Sequence, residues 1–319
     1  MNPELNICIL SPVYNDWESF QLLISNIEKV KYLDNFKVEV IAINDGSTNG
    51  NGHEIKSNKF NLEILHLKTN VGHQRSIAIG LQYIADTKLD FSKLIVMDSD
   101  GDDKPEDIPE LLIACERNEN SKIIFAQRKK RNENFLFKFS YFLYKKIFRL
   151  LTGFSINYGN FSCIPQNILV KLIYLENIWN HYAGSIMLSR IPYKTISLTR
   201  GKRYRGNSKM NTNSLIIHGL SAISIYFDTF TIRILKGTFF GIFIGLFFIL
   251  IVLYQKLIAG TAIPGWASSL ILIVSGIILQ LFSVTLIVLL LQLSKRKSIL
   301  PPDNLLYKEF IESIHIHKE

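Results

Sequence analysis

From Leu5 to Tyr14 the chain is apolar up to a turn at Ser11-Pro12, and Phe20, Leu23, Ile24 and Ile27 then recur at helical spacing. This predicts a strand feeding a helix. The alternation repeats, with strands expected at Phe36–Ile43, Leu62–Leu67, Lys93–Met97 and Lys122–Ala126, and helices at Gly72–Ala85 and Pro105–Arg117. Strands and helices that alternate in this way predict an α/β fold with a mostly parallel sheet.

The pattern then changes. FLFKFSYFLYKKIFRLL, residues 135–151, sets Lys138, Lys145, Lys146 and Arg149 among aromatic and aliphatic residues, as an amphipathic helix lying in a membrane interface would. A helix buried against the sheet is the alternative, but it would have to bury those cations without partners. Two later runs, Gly237–Tyr254 and Trp266–Leu293, carry no charged residue. At about 1.5 Å rise per residue each can cross a hydrocarbon core of about 30 Å, the shorter one with its flanks. Arg233 and Lys236 precede the first run and Lys295-Arg296-Lys297 follow the second, whereas the turn between them has one Lys. That bias predicts a hairpin of two spans, about 237–256 and 266–293, with both chain ends in the cytoplasm. The expected organisation is an α/β domain over 1–210 that includes the interfacial helix, a juxtamembrane helix over 211–236, the hairpin over 237–293 and a cytoplasmic tail over 294–319.

The net charge of +9 does not point to nucleic acid, because the basic residues crowd beside the apolar stretches. A lipid bilayer is the expected partner. Three widely spaced cysteines, Cys8, Cys115 and Cys163, form neither a disulfide framework nor a zinc knuckle and are read as reduced, buried thiols. The first ten residues lack the basic n-region of a secretory signal, so the soluble domain is expected to stay in the cytoplasm.

Candidate chemistry sits in turns after strands, where open α/β sheets bind ligands. The first turn holds Pro12, Tyr14 and Asn15, the second Asp45, Gly46 and Ser47, and the third Asp98, Ser99, Asp100, Asp102 and Asp103. Asp45 can accept hydrogen bonds from a base or ribose, while Gly46 frees the backbone. Like charges clustered as in the third turn are costly unless a cation neutralises them, and carboxylate oxygens suit Mg2+ or Mn2+, so Asp98, Asp100 and Asp102 are candidate metal ligands. A diphosphate leaving group needs such an ion. Neither GxGxxG nor GxxxxGK[ST] is present, which excludes the usual dinucleotide and phosphate-loop geometries.

SPVYND, AINDGS, NVGHQRSIAIGL, VMDSDGDDKPEDIPEL, AQRKKRNE and the stretch Arg203-Tyr204-Arg205-Gly206-Asn207-Ser208-Lys209 follow one another in register over roughly residues 5–235. Together they resemble the family 2 glycosyltransferases, within them the dolichol-phosphate mannosyltransferase and polyprenyl-phosphate glycosyltransferase group. The resemblance implies a GT-A fold. It also implies that Asp45 and the first turn hold the nucleotide of a UDP- or GDP-linked sugar, while Asp98 and Asp100 hold the metal and diphosphate. One departure stands out: Asp102 occupies the position where the group usually has Gln. The QxxRW motif of processive synthases is absent, which favours transfer of a single sugar.

A lipid phosphate is already an anionic nucleophile, so the chain needs cations to position it more than a strong base. Arg128, Arg131, Arg203, Ser208 and Lys209 are the candidates for gripping acceptor phosphate or donor diphosphate, with Lys129, Lys130 and Arg205 beside them. Asp100, Asp102 and Arg203 are the expected catalytic set. Polyprenyl phosphate is the expected acceptor, a saccharide acceptor and an inactive nucleotide-fold membrane anchor are the alternatives, and a homo-oligomer is left open.

Overall fold

The computed structural model describes residues 6–50, 52–88, 90–128, 146, 149, 153, 159–205, 224–260, 265–296 and 305–317. The chain forms two compact units, one within residues 1–138, 156–225 and 301–319, the other within 139–155 and 226–300.

The first unit is built on an eight-stranded sheet: β1 (Asn6–Val13), β2 (Lys37–Asn44), β3 (Asn61–Leu67), β4 (Phe91–Val96), β5 (Ile123–Arg128), β6 (Ser162–Pro165), β7 (Tyr193–Leu198) and β8 (Ile311–His317). Their order across the sheet is β7-β5-β6-β4-β1-β2-β3-β8. β1 pairs in parallel with β2 and β4, β2 with β3, and β5 with β7, whereas β6 and β8 run antiparallel to their neighbours. β1 is central, and every residue after Asn6 in it is buried, as a strand covered on both faces requires. One face packs on helices α1 (Trp17–Ile27) and α3 (Ile108–Glu116) through Phe20, Leu23, Ile24, Leu111 and Leu112. The other packs on α2 (His73–Thr87), α4 (Gln166–Leu172) and α5 (Tyr182–Leu188).

The expected α/β fold with a mostly parallel sheet is therefore found, with strand bounds shifted by a residue or two. Pro12 differs: it lies inside β1, paired with Ile43, so the first turn starts at Tyr14. A larger difference concerns residues 307–317, expected within a tail. They form a helical turn, α8 (Tyr307–Phe310), and then β8, which covers the edge of β3. The Tyr307 amide donates to Gln82 Oε1 at 3.1 Å and its hydroxyl to Asp86 Oδ2 at 2.6 Å, fastening the segment to α2.

The second unit contains two 31-residue helices, α6 (Phe227–Leu257) and α7 (Trp266–Arg296). Both are long and apolar enough to cross a membrane. They pack as a hairpin, with Gly241 facing Leu281 and Gly245 facing Ile278 and Val274. Thr285 Oγ1 donates to Thr238 Oγ1 at 2.9 Å, and Gln292 Nε2 to Asp228 Oδ1 at 2.7 Å. Small residues and interhelical hydrogen bonds are the contacts that join helices where the hydrophobic effect does not. Phe239, Phe243, Leu250, Leu272 and Leu279 are more than half exposed on the outside. The first helix begins at Phe227, so residues 227–236 of the expected juxtamembrane helix are continuous with the expected first span. Most of the expected interfacial helix at 135–151 lies outside the described residues, as do residues 206–223.

Candidate functional site

β2, β1 and β4 are adjacent and parallel, so their carboxyl ends bring the three candidate turns to one edge of the sheet. Two backbone bonds fix the alignment, Asp45 N to Val13 O at 2.9 Å and Met97 N to Leu10 O at 3.0 Å.

The first two turns are tied to each other. Asn15 adopts φ +52°, and its Oδ1 accepts the amides of Thr48 at 2.8 Å and Asn49 at 3.1 Å, while its own amide donates to Ser47 Oγ at 2.9 Å. Ser47 N–H donates to Asn44 Oδ1 at 3.0 Å, which turns the Asn44 amide nitrogen toward His66 Nδ1, 2.9 Å away. His66 therefore accepts through Nδ1 and carries its proton on Nε2, a buried atom without a partner among the described residues. Asn15 and Ser47, expected as nucleotide contacts, thus shape the turn they sit in; Tyr14 is exposed beside them.

Asp45 is 3% exposed. Its Oδ1 accepts Val71 N–H at 2.7 Å and its Oδ2 Gly72 N–H at 3.1 Å, so it organises the entry to α2. Burial raises its pKa above 3.8, opposed by those amides and by the Ser76 hydroxyl. With three donors on its two oxygens, the carboxylate keeps acceptor capacity for one further ligand N–H or O–H. Gly46, at φ +65°, packs so closely on residues 69–70 that a Cβ would lie 2.6 Å from Asn70 N.

The third turn distributes its acids among different partners. Asp103 Oδ2 accepts the Asp98 amide at 2.9 Å, and Asp100 Oδ1 accepts the Asp102 amide at 2.9 Å. Asp98 Oδ1 lies 3.2 Å from His73 Nε2, with the Asn160 amide 2.9 Å from the same ring nitrogen and 3.4 Å from Asp98 Oδ1. Loss of hydration works to lower the His73 pKa, but Asp98, with Asp100 and Asp45 behind it, outweighs this and raises it. Asp100 Oδ2 accepts from Arg203 Nη2, and Asp102 Oδ2 from Arg200 Nη2. Ser99 is buried beneath the turn. Among the described residues no group of three His, Cys, Asp or Glu side chains is placed to hold a metal ion.

Residues 199–205 lie across this turn. Gly201 N donates to Asp102 O and Tyr204 N to Asp100 O, each at 2.9 Å, and Lys104 Nζ donates to Thr199 Oγ1 at 2.8 Å. Gly101, at φ +90°, leaves no room for a Cβ, which would lie 2.9 Å from the Tyr204 ring. Arg128 ends β5, but its side chain, like Arg131, Ser208 and Lys209, lies outside what is described. His73, Asn160, Arg200 and Gln74, whose Nε2 donates to Asn160 Oδ1 at 3.3 Å, were not singled out from the sequence. NVGHQ carried a signal for His73 and Gln74, whereas nothing periodic marks Asn160 or Arg200.

Residues 8–179 match the family model described as Glycosyl transferase family 2. The chain is similar to undecaprenyl-phosphate 4-deoxy-4-formamido-L-arabinose transferase of Proteus mirabilis (strain HI4320), 27% identical over 50% of this chain and 47% of that protein. It is also similar to dodecaprenyl-phosphate galacturonate synthase of Rhizobium johnstonii, 23% identical over 89% of this chain and 85% of that one. Among solved structures, glucosyl-3-phosphoglycerate synthase from Mycobacterium tuberculosis, in complex with Mn2+, UDP-glucose and phosphoglyceric acid, shares the fold. Its TM-score is 0.51 at 13% identity, covering 70% of this chain and 79% of that one.

Proposed function

Because the chain belongs to glycosyl transferase family 2, we propose that it moves one sugar from a UDP- or GDP-linked donor to a polyprenyl phosphate at the cytoplasmic face of a membrane. The observation that carries this reading is the convergence of Asp45, Asp98 and Asp100 at the carboxyl ends of adjacent parallel strands. The lipid acceptor is supported by the two polyprenyl-phosphate relatives and by the apolar hairpin.

Asp45 and the 44–49 turn take the nucleotide, with Gly46 keeping the backbone low beneath it. Mg2+ and Mn2+ are commonly bound by one or two carboxylates, with substrate phosphates and water completing the shell. Asp98 and Asp100 fit that donor set, and an ion there supplies charge neutralisation for the diphosphate. Asn160 and His73 orient Asp98. Arg203, released from Asp100, has the reach and charge to meet a phosphate oxygen. A phosphate oxygen of the acceptor attacks the anomeric carbon, the bond from that carbon to the diphosphate breaks, and nucleoside diphosphate leaves. Arg233 and Lys236 before the first apolar run, with Lys295, Arg296 and Lys297 after the second, support an orientation with both chain ends in the cytoplasm.

The test supplies the full chain with polyprenyl phosphate and a panel of UDP- and GDP-sugars, with and without Mg2+ or Mn2+, and identifies the product by mass spectrometry. A single-sugar glycolipid formed with the ion and lost in Asp100→Asn is the expected result. A product on a saccharide acceptor instead, or full activity in the Asp98→Asn/Asp100→Asn double variant, refutes the reading.

A further inference from the structure

We infer that Asp102 stands outside the ion-binding set and, paired with Arg200, clamps residues 199–205 over the Asp98–Asp103 turn, leaving Arg203 as the cation that changes partners when donor binds. This deepens the transferase reading and rests on it.

The two ion pairs of the turn are held differently. Asp102 is fixed twice to the overlying segment, by its carboxylate to Arg200 and by its carbonyl oxygen to the Gly201 amide at 2.9 Å. Lys104, two residues on, adds a third attachment through Thr199 at 2.8 Å. These contacts lie at the start of the segment. At its other end the Tyr204 ring packs on Gly101, where a Cβ would lie 2.9 Å away. Arg203 lies between these attachments. Its guanidinium holds Asp100, while its Nε is buried without a partner among the described residues. An arginine with a buried, unanswered donor is not at its best arrangement, since such a donor forfeits a hydrogen bond it had in water.

Charge decides which aspartate can serve an ion. Were Asp102 a ligand, the Arg200 guanidinium would remain bonded to a carboxylate carrying a divalent cation, like charge against like. Among the described residues Asp102 is the carboxylate that Arg200 pairs with, and the chain around Arg200 is pinned by the Gly201 and Thr199 contacts. Arg203 has an exchange available: as Asp100 turns to the ion, the donor diphosphate offers the guanidinium a new anion. The extra carboxylate, where the resembled group carries Gln, is then explained by its arginine, and the pair acts to position Arg203.

The test uses the full chain and two readouts besides turnover. Hydrogen exchange of the Gly201 and Tyr204 amides, without donor or ion, should quicken by about three- to tenfold in Asp102→Asn and in Arg200→Gln, the loss expected for one partly exposed charged contact. The charge-exchanged Asp102→Arg/Arg200→Asp variant should return it toward wild type. Mn2+ affinity, read by electron paramagnetic resonance, should stay within about twofold in Asp102→Asn and fall at least about tenfold in Asp100→Asn. Equal loss of Mn2+ affinity in both aspartate variants, or unchanged exchange in both clamp variants, overturns the inference. Should Asp100→Asn also leave Mn2+ binding intact, the proposed ion site falls, and the exchange data then uphold or overturn the clamp by themselves.

Discussion

Gly46→Ala tests how tightly the nucleotide turn is seated. At φ +65° an alanine pays roughly 1 kcal/mol for the left-handed conformation. Its methyl would also lie 2.6 Å from Asn70 N and 2.8 Å from Thr69 C, backbone atoms that no rotamer change can move. That backbone is held in place, because Asn70 Nδ2 bonds Asp45 O at 3.0 Å and the next two amides bond the Asp45 carboxylate. Overpacking of this kind costs about 1–3 kcal/mol, so the sum is about 2–4 kcal/mol. At 1.4 kcal/mol per factor of ten, the amides of 44–49 and 70–72 should exchange with deuterium about 30- to 700-fold faster, and donor affinity should fall with them. Gly260→Ala is the control, since it has the same φ of +65° and nothing within 4 Å of the added Cβ. It should show local acceleration of about fivefold only. Exchange around residue 46 no faster than in the control, with donor affinity unchanged, would refute the steric argument.

The attachment of β8 should weaken in acid. Burial holds His66 and His315 below the usual imidazole pKa of 6.5, helped by mutual repulsion with His53 and, for His315, with His317, while Glu312 pulls His66 the other way. Their neutral forms fit the fold, so stability is complete above about pH 6.5 and declines as pH falls below it; exchange of the 311–317 amides, corrected for intrinsic rate, should rise between pH 7.5 and 5.0 and stay flat if the sign is wrong. Arg203→Ala should cut transfer to polyprenyl phosphate by about 10- to 100-fold while flotation with liposomes holds, and Arg203→Lys should recover little. Unchanged transfer with reduced flotation would make it a headgroup contact. Cys8, Cys115 and Cys163 are all buried, and burial, with Glu39 next, pushes the Cys8 thiol up to about 12. None should react with a thiol reagent until the domain unfolds, and a stoichiometric native reaction would contradict that burial.

The sheet's core was legible because parallel strands buried on both faces read as unbroken apolar runs, as ICIL and VIAI do. The turns were legible because Asp, Gly and Ser at strand ends have few other uses. What stayed hidden depends on segments distant in the chain. Asn15 also braces the neighbouring turn through its φ and its bonds to residues 47–49, a role its place in the sequence does not show. Arg200 pairs with Asp102 from 98 positions away, a contact that nothing local in the sequence announces. IESIHIH does carry strand alternation, but its position beyond two long apolar helices concealed that it belongs to β3.

That position has a consequence for how the protein is made. β3 ends at Leu67, and the strand that covers its edge starts at Ile311, after both long helices have left the ribosome. At roughly 5–20 residues per second, the edge waits on the order of ten to fifty seconds for its neighbour. An open edge is a template for stray pairing, so Glu63 and Lys68 in and beside β3 help keep the waiting strand to itself. Completion of the sheet thus becomes a late event, timed by passage of the hairpin and not by the synthesis of the sheet's own core.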